Sequence, residues 1–593
     1  MKLILREYLA SLREREELDA ILPDLLSELG YNVYSRPQVG TTQHGVDIAA
    51  VGPADANGQR KLYLLSVKKG DLTRSEWNGN AAQALRPSLD DILDSYIPTR
   101  IPPEHRHLDV VICLCFGGVV REEIRTAVTG YMAAKTTGRI SFEEWNGDRI
   151  AGMLLAGVLR EDLLPKPFRS DFQKAVALLD EPTVAYQYFA SLVKALRVAG
   201  LKRKKDARVR AARQIYLCVW VMYVWGRDIE NLEAPYQASE LALLNVWELM
   251  KPLLGRRTAE AKALTQVLNQ LRTVHLAITN DCIETRIAPH VNKRDALGTA
   301  VASRSPVDVN LALFDLLGRL AMAGLWLQMF VRQQQAAGIA TDAANVRRYF
   351  DLGFAMIENN PALLLPVTDE QATSLTLFLL LWGASEREAD GVAAWLTEMT
   401  ERYDYSLAAP GRYPTSKTEY RDLIGHPRNS SKAYFEEATA GSTLIPILVA
   451  WMTAMGVPEG ADTFGTLKAG SLAHCEMQLW TVDNTSEAHL YINDANHGRA
   501  ITGLPVGDGP ALLRTLVAAC ARNADYENLS AIQYGWLPLV LMACRHWRLP
   551  LPPQLYISMM RSAAAPDAPS EDATPDTPVD GITDPAPEPT DEP

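Results

Sequence analysis

The chain has 593 residues, 47% hydrophobic and 22% charged, with a formal charge of −12. That length exceeds one hydrophobic core and predicts two to four domains of ordinary globular composition. The seven cysteines are scattered, odd in number and without a Cys-x-x-Cys pair, which excludes a disulfide scaffold and fits a reducing compartment. Nine acids and no base lie in residues 564–593, and taking those nine from −12 leaves −3 for the rest. Global charge therefore neither supports nor excludes a nucleic-acid partner.

The first residues, Met1-Lys2-Leu3-Ile4-Leu5-Arg6-Glu7, run into charged helix-like sequence without a signal-peptide core, which predicts a cytoplasmic protein. A helical stripe follows over Arg15–Leu29, with apolar positions at Leu18, Ile21, Leu22, Leu25, Leu26 and Leu29, and Gly30 closes it. Strands are predicted at Tyr31–Ser35, Val46–Val51 and Lys61–Val67. Ser75–Asp94 reads as mostly helical, with Pro87 a break or a helix start. Leu108–Cys115 is a continuous apolar run, the mark of a strand buried on both faces. A helix at Arg121–Lys135, a strand at Ile140–Trp145 and a helix at Asp148–Leu159 complete the block. The order αβββαβαβα predicts an α/β domain over residues 1–165, a mixed central sheet flanked by helices.

Residues 166–562 change to long helical stripes, rich in tryptophan, and form a mainly α-helical region of one or two subdomains. Thr368-Asp369-Glu370-Gln371 ahead of Leu375–Trp382 is a capping box opening a buried helix. A small hairpin is predicted from Leu479–Val482 and Leu490–Ile492. Leu311–Val331 is long enough to span a bilayer, but Asp315 and Arg319 stand four apart inside it and can pair, so a buried helix without stable membrane insertion is expected. The tail, 563–593, holds eight prolines beside its nine acids and reads as disordered.

The chemistry converges on the second and third strands. Strand alternation points Ser66 and Lys68 the same way, and Asp47 lies at the end of the preceding strand. A carboxylate at Asp47, with the carbonyl of Val67, can hold Mg²⁺ or Mn²⁺ through hard oxygen contacts. Lys68 could orient an attacking water or balance charge on a phosphate, and Asp19 on the first helix could lean over this edge as a further acid. The alternative reading of the same residues is bland: Asp47 as a turn residue, and Lys68-Lys69 as a solvated strand end.

These pieces resemble the PD-(D/E)XK nuclease superfamily, in its Mrr-type restriction endonuclease-like branch. The likeness covers about residues 8–160. It is carried by Leu18-Asp19, Leu25-Leu26 and Leu29-Gly30-Tyr31, then Gly45-Val46-Asp47-Ile48, Ser66-Val67-Lys68 and Val110-Val111-Ile112. The resemblance implies catalytic Asp47 and Lys68, with Asp19 in place of a helix glutamate, and a weak match for Gln83. Ser66 stands where the family places Glu, Asp or Gln, and serine is a poor metal ligand. The resemblance further implies a metal-dependent DNA endonuclease in a restriction or phage-defence setting, with the helical region as sensor or regulator. The competing expectation is a decayed nuclease domain that binds nucleic acid or a partner on a helical scaffold.

Lys202-Arg203-Lys204-Lys205 is the densest basic run and, with Lys69, a candidate grip on phosphates. The helical region and the acidic tail are the candidate docking points for a protein partner, and a homo-oligomer is compatible with all of this. His44 reads as incidental. No Gly-x-x-x-x-Gly-Lys-Ser/Thr loop and no Gly-x-Ser-x-Gly elbow occur.

Overall fold

A computed structural model describes residues 6, 9–10, 18–35, 44–55, 58–79, 84–157, 166–202, 207–408, 413–429 and 431–560. The tail expected to be disordered, Gln83 and Arg203–Lys205 lie outside the described residues.

The N-terminal part is a five-stranded mixed sheet in the order β1-β2-β3-β4-β5. Its strands are β1 (Asn32–Ser35), β2 (Ile48–Val51), β3 (Lys61–Lys68), β4 (Asp109–Phe116) and β5 (Ile140–Trp145). The first three pair antiparallel, and β3-β4 and β4-β5 pair parallel. The parallel strands β3 and β4 are the nearly continuous apolar runs, as strands covered on both faces must be.

Helix α1 (Asp19–Glu28) covers one face. Its stripe Ile21, Leu22, Leu25 and Leu26 joins Ile48, Ala50, Leu65 and Val67 in one core. Helices α2 (Arg74–Asn78), α3 (Leu85–Asp91) and α4 (Glu122–Lys135) cover the other face, where Trp77, Leu85, Leu89 and Ile124 meet Ala49, Val51, Leu62 and Leu64. Helix α5 (Gly147–Gly157) follows β5.

The remainder is mainly helical. Its central elements are α6 (Pro182–Gly200), α7 (Ala207–Asp228), α8 (Glu233–Met250), α9 (Ala259–Cys282), α10 (Pro306–Ala336), α11 (Ala372–Ser385) and α12 (Leu537–His546). The apolar run Ile215–Trp225 is the middle of α7, buried almost throughout. Helix α10 is long and apolar enough to cross a membrane, yet 67% of its apolar window is buried inside the protein. Within it Arg319 reaches Asp315 at 2.6 Å, the pair expected from their spacing. The capping box forms as its residues predict, with Thr368 and Gln371 bonding reciprocally.

On its α1 side the sheet shares one core with the helical region, while its α2–α4 side keeps a core of its own. The outer side of α1 meets α7, where Ile21 and Leu25 join Tyr216 and Leu217 around a small gap. Asp24, buried on the same helix, accepts a hydrogen bond from Gln270 of α9 at 3.0 Å.

One expectation needs correction. Leu479–Thr481 is a strand, but its partner is Arg499–Ile501, not Leu490–Ile492. Asp483 accepts hydrogen bonds from Thr485 N at 2.9 Å and Ser486 Oγ at 3.0 Å, and this local turn opens a short helix, Ser486–His489. Tyr491 is then buried, its ring 6.3 Å from that of Trp247.

Candidate functional site

The β2–β3 register pairs Ile48 with Leu65, and Asp47 stands just before this last pair. The ladder is modified there. Asp47 N–H donates to Leu65 O at 2.9 Å, while Val67 N–H donates to the Asp47 carboxylate, Oδ2, at 2.7 Å. A side-chain oxygen thus stands where a strand carbonyl would.

The cause lies just upstream. His44 and Gly45 both take positive φ, 48° and 76°, and a Cβ at Gly45 would lie 2.1 Å from the Ser88 carbonyl of α3. Only glycine admits that approach, and it swings Asp47 in from the sheet edge. His44 is not idle: its Nδ1 lies 3.3 Å from Asp91 Oδ1 on α3.

Alternation decides which side chains meet. Leu62 and Leu64 belong to the core beneath α2–α4, Leu65 and Val67 to the core beneath α1. Ser66 and Lys68 therefore turn to the α2–α4 face. Val46 packs in that same core while Ile48 packs in the other, so the alternation breaks at Asp47. Asp47, Ser66 and Lys68 thus lie at the same end of the β2–β3 pair, with Asp47 held there by the Val67 N–H. Asp19 begins α1, the helix on the face opposite Ser66 and Lys68. Burial raises the Tyr216 phenol of α7, and the charges of Asp24 and Asp19 add to it.

The site is also more enclosed than a solvated strand end. Lys68 is 5% exposed and Ser66 1%, whereas Lys69 and Lys202 are exposed. Gly118 N–H donates to Gly70 O at 2.8 Å and Gly147 N–H to Gly118 O at 2.9 Å, tying the ends of the parallel strands together. A Cβ at Gly117 would lie 1.8 Å from the Leu9 carbonyl, so the N-terminal chain rests directly on the end of β4, beside Phe116, the register partner of Lys68.

Asp47 also acts on the core beneath α1, where Cys115 lies. Burial pushes the Cys115 thiol well up, and the Asp47 charge pushes it further. Cys115 is the register partner of Val67. Both Cys113 and Cys115 stay protonated and are no nucleophiles.

The hard oxygen donors that this strand end presents are the Asp47 carboxylate and the carbonyl of Val67. The N–H and C=O of one strand residue leave toward the same neighbour, and Val67 N–H faces Asp47. Mg²⁺ keeps several waters and accepts such a sparse, hard donor set. Among the described residues no group of three or more His, Cys, Asp or Glu side chains converges on one point.

A second polar centre, not anticipated from the sequence beyond its Asp315–Arg319 pair, lies in the helical region. Arg545 donates to Glu240 at 2.6 Å and to Asp315 at 2.5 Å. Arg319 bridges Asp315 at 2.6 Å and Glu233 at 2.5 Å. His546 Nδ1 donates to the other oxygen of Glu240 at 3.0 Å, and the Tyr186 hydroxyl lies 2.7 Å from its Nε2. Arg545, then His546, holds the buried Glu240 carboxyl far below its ordinary range despite the opposing effect of burial. Comparison with family models, with curated proteins and with solved structures finds no match for this chain.

Proposed function

We propose that the N-terminal sheet domain is a metal-dependent nuclease acting on DNA phosphodiester bonds, with the helical region as its sensor or regulator. The observation that carries this reading is the clasp of the Asp47 carboxylate on the Val67 N–H, at the strand end where Ser66 and Lys68 lie. The order of helix, three antiparallel strands, helices and a parallel fourth strand supports the resemblance to the PD-(D/E)XK superfamily. That resemblance also supplies the restriction or phage-defence setting, as an analogy of fold rather than of site.

In this reading Asp47 and the Val67 carbonyl would hold Mg²⁺ or Mn²⁺. The ion when bound supplies a Lewis acid for the phosphate and acidifies a water. The chain's own contribution is positional. Val67 N–H fixes the carboxylate, so no rotamer entropy remains to be lost on binding. The Lys68 ammonium balances charge on the phosphate, and the Ser66 hydroxyl offers one hydrogen bond to water or phosphate in place of a second carboxylate.

The test is nicking of supercoiled plasmid with Mg²⁺ or Mn²⁺, comparing wild type with Asp47→Asn and Lys68→Ala. Each substitution is expected to lower the rate by about 100-fold or more, as loss of a preorganised electrostatic group does. Equal residual nicking in all three proteins defeats the assignment.

Ser66 favours a second reading, a domain that grips nucleic acid without cutting it. Its signature is metal-independent retention of DNA with no cleavage in wild type.

A further inference from the structure

A cleft of about 720 Å³ opens in the helical region, between α6, α8, α10, the start of α11 and the end of α12. That volume is typical of a small-molecule site. Its wall carries the buried ion network described above, an expensive construction in desolvation if stability were its only use.

The distribution of charge tells what the cleft can accept. Five carboxylates line it, those of Glu233, Glu240, Asp315, Glu370 and Glu419, against three guanidiniums, those of Arg319, Arg545 and Arg548. Two of the guanidiniums are sunk behind their partners. Arg545 and Arg319 are 8% and 12% exposed, whereas Asp315 and Glu233 are 45% and 36% exposed. An entering molecule therefore meets the oxygens of Asp315 and Glu233 first, with the terminal nitrogens of both arginines bound to carboxylates and their unpartnered Nε groups buried.

The opposite lip is short of positive charge. Glu370 is half-buried, and the nearest cation is Arg548 at 3.7 Å, beyond hydrogen-bond reach and itself 71% exposed. Burial raises the Glu370 carboxyl, and Asp369 and Glu419 raise it further against the pull of Arg548. Phe314, Tyr186 and Tyr420 supply apolar and aromatic wall between the two lips, which suits the alkyl body of a cation and its charge.

We infer that this cleft binds a small organic cation of the polyamine class, one amine meeting the Asp315–Glu233 lip and another displacing Arg548 from Glu370. This inference is independent of the nuclease reading, since the cleft and the strand end share no residue.

Spermidine is the probe, titrated calorimetrically into the full chain at fixed ionic strength. Saturable one-to-one binding is expected. Glu370→Gln with Glu419→Gln should weaken it at least about tenfold, the effect of losing about 1.4 kcal/mol of ion pairing. Ala312→Trp, which fills the cleft without removing charge, should abolish it while the circular dichroism stays that of wild type. Spermidine binding of undiminished strength in both variants would mean attraction to the acidic tail and overturns the proposal. So would absence of spermidine binding; saturable binding of ATP that is lost in Arg548→Ala would then make the cleft an anion site.

Discussion

Lowering the pH below neutrality should weaken the helical region through one residue, His275. This histidine of α9 is 1% exposed, and its Nδ1 lies 2.8 Å from the Ser239 hydroxyl. Burial, only partly offset by Glu240, lowers its pKa from 6.5 to about 4. Between those values the unfolded chain binds a proton that the folded chain refuses, so stability falls as pH falls from 6.5 toward 4 and levels off below. At 1.36 kcal/mol per unit, the interval of 6.5 to about 4 corresponds to about 3.4 kcal/mol. His275→Asn offers Ser239 a hydrogen-bond partner and cannot titrate. Urea unfolding followed by tryptophan fluorescence at pH 7, 6 and 5 measures the effect. Wild type should lose about 1 kcal/mol or more per pH unit relative to the variant over this window. Parallel pH dependence in the two proteins would refute a buried neutral imidazole.

Three further outcomes follow from the same geometry. Gly117→Ala places a methyl 1.8 Å from the Leu9 carbonyl, and should destabilise the sheet domain by about 1–3 kcal/mol, as overpacking does; an unchanged urea midpoint would contradict the contact. Arg545→Met leaves Glu240 without its guanidinium partner and should cost about 3–5 kcal/mol, most of it recovered by adding Glu240→Gln; equal losses in single and double variants would show that no buried charge had been stranded. Alanine at Lys202, Arg203, Lys204 and Lys205 should reduce the salt-dependence slope of DNA binding by about 0.9 per lost phosphate contact; an unchanged slope would make this run a solvated connector.

Much of the sheet was legible because its signals are local. Ile140–Trp145 is the strand the pattern predicts, and the Asp109–Phe116 strand is the continuous apolar run shifted by one residue. The common face of Ser66 and Lys68 followed from alternation alone. Their burial did not, because it depends on segments distant in the chain, such as Leu9, whose carbonyl lies against Gly117 just past β4. Asp19 misled for a related reason. The periodicity of α1 was plain, but the side of the sheet it covers is fixed by topology, and it lies opposite Ser66 and Lys68. Leu490–Ile492 looked like a strand because its apolar residues are real core residues, and the turn made by Asp483 outweighed their β propensity. The Glu240–Arg545 pair bridges positions 305 apart, and no window of sequence displays such a partnership.

Helix α1 has its two flanks in different company, Leu22 and Leu26 toward the strands and Leu25 toward Tyr216 and Leu217. Splitting the gene between the two halves would leave a greasy scar on both products. Recombination could not lift this sheet onto another scaffold, as it does with beads on a string, without also rewriting one side of that helix. The two halves are therefore expected to be inherited as one piece, and a shift in either body would be felt in the other without any hinge.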